Sequence, residues 1–562
     1  MCLSGCSDSS SHARSVEGGK SEKPGLPWFE EVAAKSGIDF RHESGHVYPN
    51  YFFPEAVAPG AALFDADQDG FLDVYLVQSG GILKAEDERP PGRMYRNRGD
   101  GTFEAVPEEH GAPNRGFGIG VSTGDYDNDG DLDLYVTNLH ANAFFRNDSS
   151  PGEIRFTDVT AETGTAGNEF STSTAFLDYD HDGDLDLFVV NDIHWSAETE
   201  NECLIQSGER DYCGPHSYNA PTASVLYRNN GDGTFTDVSF ETGIRGAFGN
   251  GLGIVCADFN GDGWIDIYVA NDKTDNHLWL SNGDASALRF TNVAFETGCA
   301  IDSEGQAKAS MGVDAQDIDD DGDRDILTVN LDSEADSLFR NEGGYFVDDT
   351  AFTGLAAITR SFTRFGMAWS DLNNDGWLDL YMANGRVLRP GSLRWGSKNP
   401  YAEPNVLIRG SPEGRYQEVK PLGGTRDLLV ANSRAAAFGD IDNDGGVDIL
   451  VANSDHPPYL LRNVAPDRGN WIMFRVLNRH GGDAIGATVR LKLGDRTLTR
   501  DVRTAFSYCS ANDPRVHLGL GHAAGVADVS VTWVDRSVES FGDFEGGRIV
   551  ELRQGGGGGS PQ

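Results

Sequence analysis

The chain has 562 residues, with 88 acidic against 45 basic side chains and a net charge of −43. A polyanion of this size is repelled by nucleic acid phosphates and by anionic lipid, which excludes nucleic acid as the main partner. No apolar run approaches the ~20 residues of a membrane-spanning helix, and 70 glycines with 10% aromatic residues describe a turn-rich folded chain rather than a disordered one.

Residues 1–27 read as an N-terminal tether. Within it, Leu3-Ser4-Gly5-Cys6 resembles a bacterial lipobox, with Cys6 as the expected site of a lipid anchor. No apolar stretch of a signal peptide precedes it, so this reading requires a start further upstream; chance resemblance is the alternative.

Residues 28–463 carry one pattern seven times, Asp-x-Asp/Asn-x-Asp-Gly-x-x-Asp. The copies start 53 to 80 residues apart. Each is followed by a short β-rich run such as LYVTN, then a second such as FFRN. A Gly-rich turn and an FTDV-type run complete the unit. Four short strands per unit, repeated seven times, predict an all-β fold, a seven-bladed β-propeller. An FTDV-type run stands before the first motif and none follows the last. Residues 28–32 are therefore expected to pair with 459–463, so that one blade joins both ends and hides its edges.

The motif predicts a metal site. Positions 1, 3, 5 and 9 supply oxygen side chains, the Gly at position 6 permits a sharp turn, and calcium takes six to eight oxygens. The expected ligands are Asp65, Asp67, Asp69 and Asp73; Asp125, Asp127, Asp129 and Asp133; Asp178, Asp180, Asp182 and Asp186; Asp258, Asn260, Asp262 and Asp266; Asp317, Asp319, Asp321 and Asp325; Asp371, Asn373, Asp375 and Asp379; and Asp440, Asp442, Asp444 and Asp448. Up to seven Ca²⁺ follow. A solvated acidic turn is the plainer reading of any single copy, and seven copies at blade spacing argue against it.

Three connections between the second and third strands of a blade are long: 79–93, 192–225 and 385–405. They should share the face opposite the acidic loops. Cys203 and Cys213 lie in one of them and are expected to form a disulfide, which suits an oxidising compartment. The ligand-face candidates are His194, Trp195, His216 and Tyr218 from the second loop, with Arg386, Arg389, Arg394 and Trp395 from the third. Arg and aromatic side chains are common binding anchors. The plainer reading is that these loops pack on each other and cap the channel.

Residues 464–553 alternate in short strands and predict a small β-sandwich domain; 554–562 read as a flexible tail.

The acidic loops with strands on both sides resemble the FG-GAP/VCBS repeats of integrin-α-type propellers. Asp483 to Arg490, Arg503, Tyr508 to Ser510, His517 to Gly521 and Val529 to Trp533 resemble an ASPIC/UnbV domain. Together, over residues 28–552, they resemble the cartilage acidic protein family in a bacterial-looking form, with SYCSANDP at 507–514 as a departure. The resemblance implies an extracellular calcium-binding protein used in adhesion or protein contact.

No nucleophile elbow, zinc-protease helix, P-loop or dinucleotide fingerprint is present. His517, in HLGLG before a β-run, reads as structural. The expectation is therefore a monomeric, extracytoplasmic binding module, secreted or lipid-anchored, with a protein or glycan partner and no catalytic residues. The alternative is a secreted enzyme, or an enzyme's accessory protein, acting on polysaccharide at the long-loop face.

Overall fold

The computed structural model describes residues 25–285 and 287–559; the lipobox lies outside them. Its strands form seven blades of a propeller, each with four antiparallel strands, two short two-stranded ribbons (Cys203–Leu204 with Arg210–Asp211, Glu403–Pro404 with Val430–Ala431) and the two sheets of a C-terminal domain. Blade 2 is representative, with strands Phe117–Gly124, Asp133–Leu139, Ala143–Asn147 and Phe156–Asp158. Its two inner strands are buried throughout. The outermost buries Phe156 and exposes Thr157 and Asp158, so the in/out alternation of a half-wet sheet is confined to the rim. Small residues on the inner strands let the blades meet: a Cβ at Gly120 would lie 2.4 Å from the Thr172 carbonyl oxygen of blade 3. The ring closes as the end pairing predicts, with Phe29–Glu31 antiparallel to Tyr459–Asn463 and Phe29 opposite Asn463.

A side-chain device holds each acidic loop to its blade. Asp133 accepts the Tyr126 N–H at 3.0 Å and the Asn147 N–H at 2.8 Å, one on each carboxylate oxygen. The ninth-position aspartates of the other six loops accept the same pair of backbone donors. The Asn that ends the third strand then ties neighbouring blades. Asn147 Nδ2 donates to Leu132 O of its own blade and to Ala66 O of blade 1. Asn97, Asn229, Asn341 and Asn463 repeat this; blades 4 and 6 have Ser281 and Gly410 there. Asn147→Ala leaves two buried carbonyls without a donor. It is expected to cost roughly 2–4 kcal/mol, read by urea unfolding, because an unmet buried group loses its full solvation.

The C-terminal domain is a sandwich around one core that includes Phe474, Val489, Val529 and Trp533. One sheet holds Asn470–Leu477 between Val516–Gly521 and Ile549–Arg553. The other runs Arg496–Asp501, Thr488–Leu493, Gly525–Thr532, Val538–Glu545 and Gly558–Gly559. The expected flexible tail at 554–562 is corrected in its described part. Gly555 and Gly557 donate to the Glu539 carboxylate, and 558–559 pairs with 539–540.

Between these strands, residues 503–513 leave the sandwich and enter the centre of the propeller. Ser510–Ala511 adds a parallel fifth strand to blade 1 beside Ala61–Ala62. Thr504 bonds blade 2, Cys509 blade 3, Ser507 blades 5, 6 and 7, and Asn512 blade 7. Six of the seven blades thus hydrogen-bond one segment.

Candidate metal centres and interaction face

All seven acidic loops share one backbone course. The fourth residue (Gln68, Asn128, His181, Gly261, Asp320, Asn374, Asn443) and the sixth (Gly70, Gly130, Gly183, Gly263, Gly322, Gly376, Gly445) both have positive φ. Gly is the residue that takes this region at no steric cost, and Asn and Asp tolerate it. The tight double turn brings side chains 1, 3 and 9 together. In six loops the first aspartate accepts the N–H of the sixth-position Gly, at 2.7 to 3.1 Å.

In five loops, one oxygen from each of three carboxylates lies within 4.8 Å of the others. Four of these groups join positions 1, 3 and 9: Asp65, Asp67 and Asp73; Asp125, Asp127 and Asp133; Asp178, Asp180 and Asp186; Asp440, Asp442 and Asp448. The fifth joins Asp317, Asp319 and Asp321. Loops 4 and 6 have Asn260 and Asn373 at position 3. Asn260 donates to Asp262, and Asn373 accepts the Asp375 N–H.

Several of these oxygens are buried with no hydrogen-bond donor: Asp65 Oδ1, Asp178 Oδ1, Asp180 Oδ1, both oxygens of Asp317, and Asp442 Oδ1. Burial, with neighbouring carboxylates contributing, pushes the first-position acids up, to about 6 at Asp65 and Asp317 and about 7 at Asp125, Asp178, Asp371 and Asp440. Two ionised carboxylates at such separations repel by roughly 3 kcal/mol at an effective dielectric constant of about 20. Unmet buried acceptors that repel one another fit a hard cation with oxygen ligands.

The loops differ in fixed counter-charge. Arg96 pairs with Asp67 at 2.6 Å and Asp69 at 2.8 Å; Arg340 pairs with Asp319, Arg409 with Asp375, and Arg468 with Asp444. No such ion pair is found for Asp127, Asp129, Asp180 or Asp182 among the described residues, so loops 2 and 3 have the largest unmet charge.

The C-terminal domain lies against these loops with a row of arginines. Arg496 pairs with Asp320 at 2.5 Å, Arg500 donates to Asp317 O, and Arg515 to Asp440 O. Arg324 of loop 5 returns the contact to Asp501. His517, with its pKa lowered to about 4 by burial, bonds Gly445 O, consistent with a structural place. A cavity of about 330 Å³ remains between this domain and loops 3 and 4, and one of about 430 Å³ between it and loops 2 and 3, with His181 and Trp533 lining both.

On the opposite face the long connections meet. Cys203 and Cys213 are disulfide-bonded, as expected. Tyr401 donates to Asp211 at 2.5 Å, and Arg389, 3.5 Å from Asp211, lies over Tyr51. The ligand-face candidates divide. His194, His216, Arg394 and Trp395 are exposed, while Tyr218 and Arg389 are half-buried. Two are corrected. Trp195 is 4% exposed and its indole N–H is spent on Glu200; Arg386 is buried between Asp332 and Glu403. Arg386 and Arg389 are thus neutralised by acids of the same face.

One group on this face was missed in the sequence. His46 Nδ1 lies 2.8 Å from Glu55 Oε2, and the Tyr212 hydroxyl donates to the same oxygen at 3.1 Å. The only signal for it was the unusual length of the connection between Glu31 and Ala61.

The chain matches the FG-GAP-like repeat model at residues 65–136, 125–189, 212–269, 258–328 and 317–382, together over half its length. It matches the ASPIC and UnbV model at 478–558. It is similar to cartilage acidic protein 1 of Xenopus tropicalis, with 23% identity over 88% of this chain and 73% of the relative. Among solved structures it is similar to an Agrocybe aegerita lectin that recognises non-reducing terminal N-acetylglucosamine (TM-score 0.35, 16% identity, 70% of this chain and 85% of that one). It is also similar to a Bacillus licheniformis rhamnogalacturonan lyase (TM-score 0.36, 13% identity, 76% of each chain).

Proposed function

Because the chain belongs to the FG-GAP-like repeat family and carries an ASPIC and UnbV domain, we propose that it is a calcium-loaded, non-catalytic propeller that binds a protein or glycan outside the cytoplasm. The observation that carries the metal assignment is the set of buried, unpartnered carboxylate oxygens in the acidic loops. Calcium sites of extracellular modules are typically weak, about 10⁻⁴–10⁻³ M, and fill only where calcium is abundant. The disulfide agrees with an oxidising compartment. The relatives' name associates them with cartilage and with acidity.

The partner surface in this reading is the long-loop face, since the C-terminal domain lies against the acidic loops. Val47, Tyr48, Leu83, Leu204, Leu388, Leu393 and Trp395 are exposed on these connections, and exposed apolar clusters mark interaction sites. The test is a panel of proteins and of neutral, carboxylated and sulfated glycans, probed with calcium-loaded protein. A double variant Leu393→Asp/Trp395→Ala should weaken binding at least about tenfold, the effect of losing one anchor, without changing the bound calcium. Binding that survives this variant would move the partner elsewhere.

A second reading, an enzyme acting on polysaccharide at the same face, draws on His46, Glu55 and Tyr212. The buried Glu55 carboxylate engages His46 Nδ1, which orients the other ring nitrogen as a base. Turnover of an acidic polysaccharide that Glu55→Gln abolishes would favour it; absence of turnover across such substrates leaves the binding module.

A further inference from the structure

The second strands of blades 3 and 4 end alike, in Asn191 and Asn271, and each is followed by an aspartate. The asparagines are used: Asn191 Nδ2 donates to Ala223 O and Asn271 Nδ2 to Asp275 O. The aspartates are not. Asp192 is fully buried, and neither of its carboxylate oxygens has a hydrogen-bond partner; Asp272 Oδ1 is likewise buried and unpartnered.

Adjoining backbone carries the two acids. Asp192 O accepts the Thr222 N–H, Thr222 bridges to Gly249, and the next residue, Asn250, exchanges bonds with Asp272 through its carbonyl and its side-chain amide. Two nearby hydroxyls are committed elsewhere, Tyr508 to Val57 O and Tyr218 to Glu200. The charged group that acts on Asp192 is Asp272, of the same sign. An isolated buried carboxylate costs several kcal/mol unless it is neutralised.

Elsewhere on this end of the propeller the neutralising charge is built in. Arg364, itself fully buried, pairs with Asp336 at 2.6 Å, and Arg386 with Asp332 and Glu403 at 2.7 and 2.9 Å. Blades 5 and 6 thus answer their buried acids with fixed arginines. No arginine pairs with Asp192 or Asp272 among the described residues, and Lys273, whose charge acts on Asp272, is itself paired with Glu334.

We propose that Asp192 and Asp272 together hold one hard divalent cation at the long-loop end of the channel, a site separate from the seven acidic loops. Oxygen-only donors select calcium or magnesium over softer metals. The metal takes the place that arginine holds in blades 5 and 6, and it stiffens the junction on which the disulfide-bonded loop stands.

Anomalous diffraction from crystals grown at neutral pH in millimolar calcium tests this directly. The expected map has a peak between Asp192 and Asp272 in addition to peaks in the acidic loops. Peaks in the loops with none between these two residues would overturn this proposal and leave the loop assignment standing. A channel peak without loop peaks would do the reverse. Melting of the double variant Asp192→Asn/Asp272→Asn gives an independent readout. Loss of a bound cation lowers the melting temperature in calcium, and loss of repulsion raises it in metal-free buffer. A variant that melts higher in both overturns the site.

Discussion

Tyr508→Ala is expected to destabilise the whole protein by about 3–5 kcal/mol, the cost of truncating a large buried aromatic, although Tyr508 belongs to the segment of the C-terminal domain. Its ring is fully buried among Phe52, Phe53, Val57 and Phe365, which come from the connection to blade 1 and from blade 6. Its hydroxyl donates to Val57 O at 2.9 Å. Tyr508→Phe, which removes only that hydrogen bond, should cost about 1 kcal/mol. The two variants separate packing from hydrogen bonding, and urea unfolding reads both. If the C-terminal domain were an independent module, Tyr508→Ala would leave the propeller's transition in place. One cooperative transition that shifts as a unit is expected, because residues 503–513 hydrogen-bond six blades.

The second large effect is a pH dependence that calcium abolishes. In metal-free buffer burial raises all seven first-position acids, to about 6 or 7 at Asp65, Asp125, Asp178, Asp317, Asp371 and Asp440, above the ~3.9 of an unfolded aspartate. A raised folded pKa means that the folded state binds more protons than the unfolded one between those values. Stability is then greatest below about pH 4 and is lost as pH rises through 7. The metal-free protein should therefore melt at a lower temperature at pH 7.5 than at pH 5. Bound calcium prefers the ionised carboxylates and releases protons on binding, so the calcium-loaded protein should show no such fall. A metal-free protein equally stable at both pH values would mean that the loop carboxylates are solvated and do not repel.

Much of the fold was legible in the sequence because each blade repeats it. The Asp-Gly turns, the β-rich runs and the displaced first strand specify the blade, the ring and its closure by local chemistry alone. The disulfide was legible for the same reason, as two cysteines in one long loop. The candidate metal loops were legible as residue types, but the second task of their ninth aspartate was not. Both of its oxygens hold backbone amides, one of them on the third strand, and that register appears only when strands pair. The Asn staples stood in plain view as the repeated Arg-Asn strand ends; their partners lie one blade away. Trp195 and Arg386 were misread because composition cannot tell an exposed loop side chain from one that turns inward to meet Glu200, Asp332 or Glu403. The docking of the C-terminal domain and the path of residues 503–513 depend on contacts between residues hundreds of positions apart, which no periodicity encodes.

In the proposed reading the acidic loops are calcium sites on which the fold depends. Its most direct test is the melting temperature of the purified protein at pH 7.5 in millimolar calcium and again in excess EGTA, with bound calcium counted by elemental analysis. Near seven calcium ions per chain are expected from the loops, one more if the channel site is filled, with a large drop in melting temperature on chelation. An unchanged melt with little or no bound calcium would contradict it.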